Sequence, residues 1–200
     1  PLGESLKKLS IGQRLQITKY MNDLLPTLRR QQTMDNTTDG RCFECQQLWE
    51  DTNHVLRCPC ETRCTARQEA FIIFRQQLKK QHTPDIMATL ICDSMTRWLD
   101  RSRIPPPTWI PPEAPIQTQL RHAFKSQSKI GWDQFFRGRI TKDWKLAIQT
   151  FYNEQQPGNS FTPDQWMRTT IDALWNFSLT LWRQRNAALH GPDSALTLER

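Results

Sequence analysis

The chain has 200 residues, 37% of them hydrophobic and 10% aromatic, enough to bury a core in one large or two small domains and too apolar for disorder throughout. Twenty-seven Lys and Arg against 20 Asp and Glu leave a net charge of +7, and the excess is unevenly placed. No apolar run approaches the roughly 18 to 20 residues of a membrane span, and no secretory or transit pattern opens the chain, so the expectation is a soluble, intracellular protein with no membrane partner.

Pro1-Leu2-Gly3 looks like what a protease leaves after removing a purification tag, which sets it aside from fold reasoning and places any native start or larger parent protein outside this chain. Ile11, Leu15, Met21, Leu24 and Leu25 recur at near-helical spacing, predicting a helix from about Ser10 that Pro26 stops. A polar stretch, Arg29 to Arg41, leads to the cysteines. Thr62 to Gln81 reads as a long helix with Ala66, Ala70, Phe74 and Leu78 on one face, and Pro84 suits the first turn of another carrying Met87, Leu90, Ile91, Met95 and Trp98.

Six prolines between Arg103 and Ile116 remove donors and fix dihedrals, which excludes helix and central strand and marks a domain boundary. Trp109 and Ile110 are expected to anchor this stretch on the protein's own surface, the alternative being a ligand for a proline-recognising domain. Ile116 to Gln127 and Thr141 to Glu154 read as helices, with Trp132, Phe135 and Phe136 as an apolar turn between them. The clearest helix starts at Thr162-Pro163-Asp164 and stops at His190-Gly191-Pro192. Its stripe of Trp166, Thr170, Ala173, Leu174, Phe177 and Leu181 is widened by Trp175, Leu179 and Trp182, so more than one side is expected to be buried. Strand-like alternation is nearly absent. The expected fold is all-α, a helical bundle with a small structural zinc-binding module near the N-terminus. Its divisions are a helical zinc-binding region at 1–102 with the module at about 41–65, a Pro-rich linker at 103–116, a C-terminal helical region at 117–192 and a tail at 193–200.

Five of six cysteines fall between positions 42 and 64, and in an intracellular chain, where disulfides are reduced, metal binding explains such a cluster. Cys42-x2-Cys45-x8-His54-x3-Cys58 offers two thiolates from one knuckle, then a His and a Cys sharing a helix face, which together complete a tetrahedron around Zn2+. Cys60 and Cys64, also four apart, are alternates for His54 and Cys58. Arg41, Arg57 and Arg63 nearby favour ionised thiolates, Cys92 reads as a core residue, and four protein ligands leave no open coordination position, so the metal is expected to be structural.

Cys-Phe-Glu-Cys followed by Glu50-Asp-Thr-Asn-His-Val-Leu-Arg-Cys-Pro59 resembles the Cys-Cys-His-Cys module that follows the polymerase in non-LTR retrotransposon reverse transcriptases. Lys19 and Leu25-Pro26-Thr27 resemble the helix that leads into that module. Gly131-Trp-Asp-Gln-Phe-Phe-Arg-Gly138 and the closing Leu-Trp-x2-Arg-Asn-x3-His-Gly are similar to C-terminal regions of reverse-transcriptase-related proteins of diatoms. The chain has no Tyr-x-Asp-Asp polymerase turn, and neither Pro84-Asp85 nor Pro163-Asp164 has the acidic follower of an appended endonuclease. The resemblance therefore implies a C-terminal fragment or a derived gene without a catalytic core.

Between Arg121 and Lys145, seven basic residues (Arg121, Lys125, Lys129, Arg137, Arg139, Lys142, Lys145) face only two acidic ones, and aromatic residues are interleaved with them. Clustered cations bind phosphate backbones by counterion release and exposed aromatics stack on bases, so DNA or RNA is the expected partner; the bland alternative makes Trp132, Phe135, Phe136 and Trp144 core. Arg185-Asn186-x3-His190 resembles the Arg-x(4 to 6)-His signature of HEPN ribonucleases, which would make Arg185 a phosphate stabiliser and His190 the proton carrier in an alternative, enzymatic reading. The bland alternative is a cationic helix end stabilised by its dipole. A third reading is a protein-interaction scaffold with a protein partner or homodimer. The preferred one is a zinc-stabilised nucleic-acid-binding module of a retroelement-derived protein, in an intracellular setting with the nucleus as one candidate compartment, that catalyses nothing itself.

Overall fold

Helix signals account for the regular structure. A computed structural model describes residues 2–7, 9–47, 49–111, 116–155 and 161–191, and among these there are ten helices, no strand and a single antiparallel bridge, Arg41 to Trp49. The helices are α1 (Leu2–Lys7), α2 (Ile11–Met21), α3 (Leu28–Met34), α4 (Thr52–Arg57), α5 (Glu61–Lys80), α6 (Asp85–Leu99), α7 (Gln117–Ile130), α8 (Trp132–Phe136), α9 (Lys142–Gln155) and α10 (Pro163–His190). No helix among the described residues is long and apolar enough to cross a membrane.

The chain divides into two compact units, one of Pro1–Ser5 with Ile73–Leu174 and one of Leu6–Ile72 with Trp175–Arg200. The divisions fall inside α5 and α10, and the Pro-rich stretch belongs to the first unit. In that stretch Pro107 and Ile110 are buried while Trp109 is 46% exposed, so Ile110 is an anchor and Trp109 is not. Residues 112–115 of the stretch and the tail at 193–200 lie outside the described residues.

In the first unit, α7 packs on α8 and α9 and α8 packs on α6, around an aromatic cluster. Trp132 lies 5.9 Å from Phe124, 5.2 Å from Phe135 and 6.5 Å from Trp144 between ring centroids, and Trp98 stacks on Phe136 at 4.7 Å. Offset and edge-on contacts of this kind add to the area the rings bury. Gln127 is fully buried and ties the connection from α7 to α9: its amide donates to the carbonyls of Gly131 (3.1 Å) and Arg139 (3.3 Å) and accepts from the Thr141 N–H (3.2 Å). Thr162 and Gln165 form a reciprocal capping box at the start of α10, as its opening residues foreshadow.

In the second unit, Ser10 and Gln13 form a capping box at the start of α2. The expected stop at Pro26 is wrong by five residues: α2 ends at Met21, because Asp23 takes a left-handed conformation (φ 57°). The N–H of Leu24 then bonds the Lys19 carbonyl at 2.7 Å and that of Asp23 the Tyr20 carbonyl at 3.4 Å, the Schellman pattern that closes a helix without glycine. Within the polar stretch read as leading to the cysteines, α3 is a helix capped by Thr27 that buries no residue. Beyond these, Tyr20 donates to Ser178 of α10 at 2.9 Å, and Phe71 meets Phe177 edge-on at 6.1 Å. These contacts join α2 and α5 to the second half of α10.

Candidate metal centre and basic surface

Asp51 caps α4, its carboxylate accepting the His54 N–H at 2.7 Å, and this sets the helix that presents His54 and, at its C-cap, Cys58. The other arm is a tight turn in which the Gln46 N–H bonds the Cys42 carbonyl at 2.8 Å, presenting Cys42 and Cys45. One ligand atom from each of Cys42, Cys45, His54 and Cys58 lies within 4.8 Å of all the others. The Cys42 and Cys58 sulfurs are 3.8 Å apart, and the Cys45 sulfur is 3.5 Å from His54 Nε2. A tetrahedral zinc with its usual Zn–S and Zn–N bonds has edges of about 3.8 Å between sulfurs and about 3.6 Å between sulfur and nitrogen. The donor set and its spacing therefore suit a tetrahedral metal ion of zinc's size. Cys42, His54 and Cys58 are buried and Cys45 is half-buried, so the cluster is closed to solvent on most sides. In the cluster by itself, the neighbouring Cys58 thiol and burial push the Cys42 thiol up to about 11, so cation binding displaces a proton there.

Cys60 and Cys64 are outside this set. Cys64 instead accepts from Arg67 Nη2 at 3.0 Å and lies 3.6 Å from the Pro59 carbonyl. Cys92 belongs to the core, and burial pushes its thiol up to about 11.

The structure surrounds the cluster with arginines that the sequence does not single out for that work. Arg63 is buried and ion-paired with Glu44, the residue just before Cys45, while its Nη1 donates to the Leu181 carbonyl at 3.1 Å. Arg67 Nη1 donates to the carbonyls of Leu56 (3.2 Å) and Cys58 (2.8 Å), at the end of α4. Arg185 is buried, pairs through both Nη2 and Nε with the equally buried Glu50, and lies over the rings of Phe43 and Trp182. Glu50 also accepts the Leu28 N–H at 3.0 Å, and its own N–H bonds the Gly40 carbonyl at 2.9 Å. Of the arginines expected to favour thiolates, Arg63 is neutralised by Glu44 and Arg41 forms a surface pair with Asp39, while Arg57 is half-buried.

This geometry bears on the ribonuclease motif. Arg185 is engaged with Glu50 and its Nη1 donates to Asn186 at 2.9 Å, whereas His190 is exposed. Helix α10 stays regular through His190, so five residues turn the two side chains apart by about 140 degrees. The structure does not bring Arg185 and His190 together.

Of the seven basic residues between Arg121 and Lys145, Arg121, Lys125, Lys129, Arg139 and Lys142 are exposed. Arg137 is buried, and half-buried Lys145 pairs with Asp164 at 2.7 Å. An open hollow of about 630 Å³ is lined by His122, Lys125, Ser126, Ser128, Lys129 and Asp143. Trp132, Phe135, Phe136 and Trp144 are all buried, so the interleaved aromatics are core, as the alternative reading of that stretch has it, and they are not available for base stacking.

Glu50, Glu44 and Arg67 are the site residues that sequence reasoning assigned no such role. One signal was readable for Arg185: it falls four residues after Leu181, on the buried stripe of α10, where a charge has to find a partner. Comparison with models of known protein families, with curated proteins and with solved structures finds no match to this chain.

Proposed function

We propose that this chain is a zinc-stabilised nucleic-acid-binding module of a retroelement-derived protein, holding DNA or RNA by its phosphates and leaving chemistry to other proteins. Cys42, Cys45, His54 and Cys58 hold the Zn2+, and with all four positions filled by protein the metal serves folding. The observation that carries the nucleic-acid reading is the exposure of Arg121, Lys125, Lys129, Arg139 and Lys142 along one stretch of sequence. Arg121, Lys125 and Lys129 recur every four residues on α7, a stripe of cations about 6 Å apart along the axis. With the neighbouring aromatics buried, contact rests on charge and carries little sequence preference.

None of the six cysteines is in a disulfide, which accords with a reducing, intracellular setting. The retroelement ancestry rests on the resemblance of the Cys-Cys-His-Cys segment alone.

Electrophoretic binding to labelled single- and double-stranded DNA and RNA across a salt series tests the reading. The expected result is binding whose log affinity falls linearly with log salt, by about 0.9 per phosphate contacted on duplex DNA. Replacing Arg121, Lys125 and Lys129 together by Gln is expected to abolish it. Absent or salt-independent binding overturns the reading in favour of a protein-interaction scaffold, and RNA cleavage lost in His190→Ala replaces it with the ribonuclease.

A further inference from the structure

The two arms of the metal cluster, Cys42 to Cys45 and His54 to Cys58, are joined by a loop whose base is closed by the Arg41–Trp49 bridge and by the Glu50 N–H on the Gly40 carbonyl, and these bonds hold the segments beside the arms rather than the arms themselves. Four ligands that approach from independent segments have to be held together before a metal finds them, and something other than the ligands has to do it. Helix α5 supplies that through two arginines one turn apart. Arg63 pairs with Glu44, inside the Cys42 to Cys45 turn, and its guanidinium also reaches the Leu181 carbonyl. Arg67 bonds two carbonyls at the end of α4, those of Leu56 and Cys58, and the Cys64 sulfur besides. Carbonyls at a helix end have no partner within the helix, and only a planar fork of donors bonds several such acceptors at once.

We propose that Arg63 and Arg67 are positioning residues for the metal: α5 grips one ligand arm with each, and this grip sets how long the bound metal is retained. Neither side chain is a ligand. The sequence suggests that nearby arginines act on the thiolates by their charge; the geometry assigns the work to hydrogen bonding instead, since the Arg63 charge is balanced by Glu44 and Arg67 is directed at backbone carbonyls. This proposal rests on reading the cluster as a zinc site. Partners of this kind, one bond removed from a metal ligand, typically change metal affinity by about 10- to 100-fold when lost.

The test is zinc transfer from the full chain to an excess of chromogenic chelator, for the unaltered protein and for Arg67→Lys, Arg67→Gln and Arg63→Gln, with Arg41→Gln as the control. Transfer about 10- to 100-fold faster in the Arg67 and Arg63 variants is expected. Arg41→Gln should behave as the parent does, because the Arg41 side chain pairs with Asp39 at the surface and the substitution leaves its backbone bridge to Trp49 in place. Arg67→Lys keeps the charge and the stem but lacks the fork, so it should not restore slow transfer, and its cobalt-substituted form should show weakened, broadened visible bands from a distorted tetrahedron. Arg67→Lys also carries the test if Arg67→Gln does not fold. Parental transfer rates in variants that bind one zinc overturn the proposal. So does acceleration that only matches faster global unfolding, followed by tryptophan fluorescence in the same solution. An unaltered chain that binds no zinc defeats the metal reading itself, an outcome recognisable without any variant.

Discussion

Both units bury apolar side chains, and they differ in what is added to that core. The first is an aromatic and aliphatic core in which Trp132, Phe135, Phe136 and Trp144 pack against one another and one buried amide, Gln127, ties the connecting turns. In the second, around the cysteine cluster, the holding is done by charge: Arg63 on Glu44, Arg185 on Glu50, and Arg67 on bare carbonyls. An apolar core tolerates approximate replacements of similar volume. Buried charges do not, because each is costly the moment its partner goes. The first unit should therefore respond gradually to substitution and the second abruptly.

The largest effect is expected from Cys58→Ser, which removes a ligand. It should lower the metal content from one zinc per chain and withdraw stabilisation on the order of 10 kcal/mol from the module. Limited proteolysis read by mass spectrometry should show new cleavage within residues 41–65, and unchanged protection of that segment would sink the structural role of the metal. Glu50→Gln comes next: it leaves Arg185 charged and buried without its counter-ion, for an expected loss of about 3–5 kcal/mol in denaturant unfolding. Pairing it with Arg185→Met should be milder than the single change; a double variant as unstable as the sum of its parts would mean that the two residues do not interact. Gln127→Leu tests the other unit, stranding the Gly131 and Arg139 carbonyls and the Thr141 N–H at a cost of at least about 2 kcal/mol, measured the same way. The smallest change is a gain. Asp23→Gly relieves a left-handed side chain and removes a carboxylate from a helix C-terminus, and should raise stability by roughly 0.5–1 kcal/mol.

What the sequence discloses follows from how local each feature is. The cysteine cluster is readable because its four ligands lie within 17 consecutive residues with a knuckle spacing. Helix α10 is readable because Thr162, Pro163 and Gly191 punctuate a long apolar stripe. Helix α3 is not, since a helix that buries nothing leaves no apolar period to detect. The end of α2 is hidden for a related reason: Asp23 does the work for which Gly is the usual marker, which leaves Pro26 as the visible stop. His82 and Arg101 take the same left-handed role after α5 and α6. In the basic stretch the charges were legible but their fates were not, because burial of Arg137 and pairing of Lys145 with Asp164 depend on neighbours far along the chain.

The pairing of Glu50 with Arg185 spans 135 residues of sequence. A ribosome adding about 5–20 residues per second needs roughly 7–27 seconds to reach Arg185 after Glu50 has been made. Throughout that interval the nascent cysteine module exists without the guanidinium that neutralises its buried acid. Metal uptake before synthesis is finished would meet a looser, more negative nest of ligands than the completed chain presents. An ion bound during that interval would sit beside a Glu50 not yet paired, so the ion pair and not the ligand set is the last part of the module to be completed.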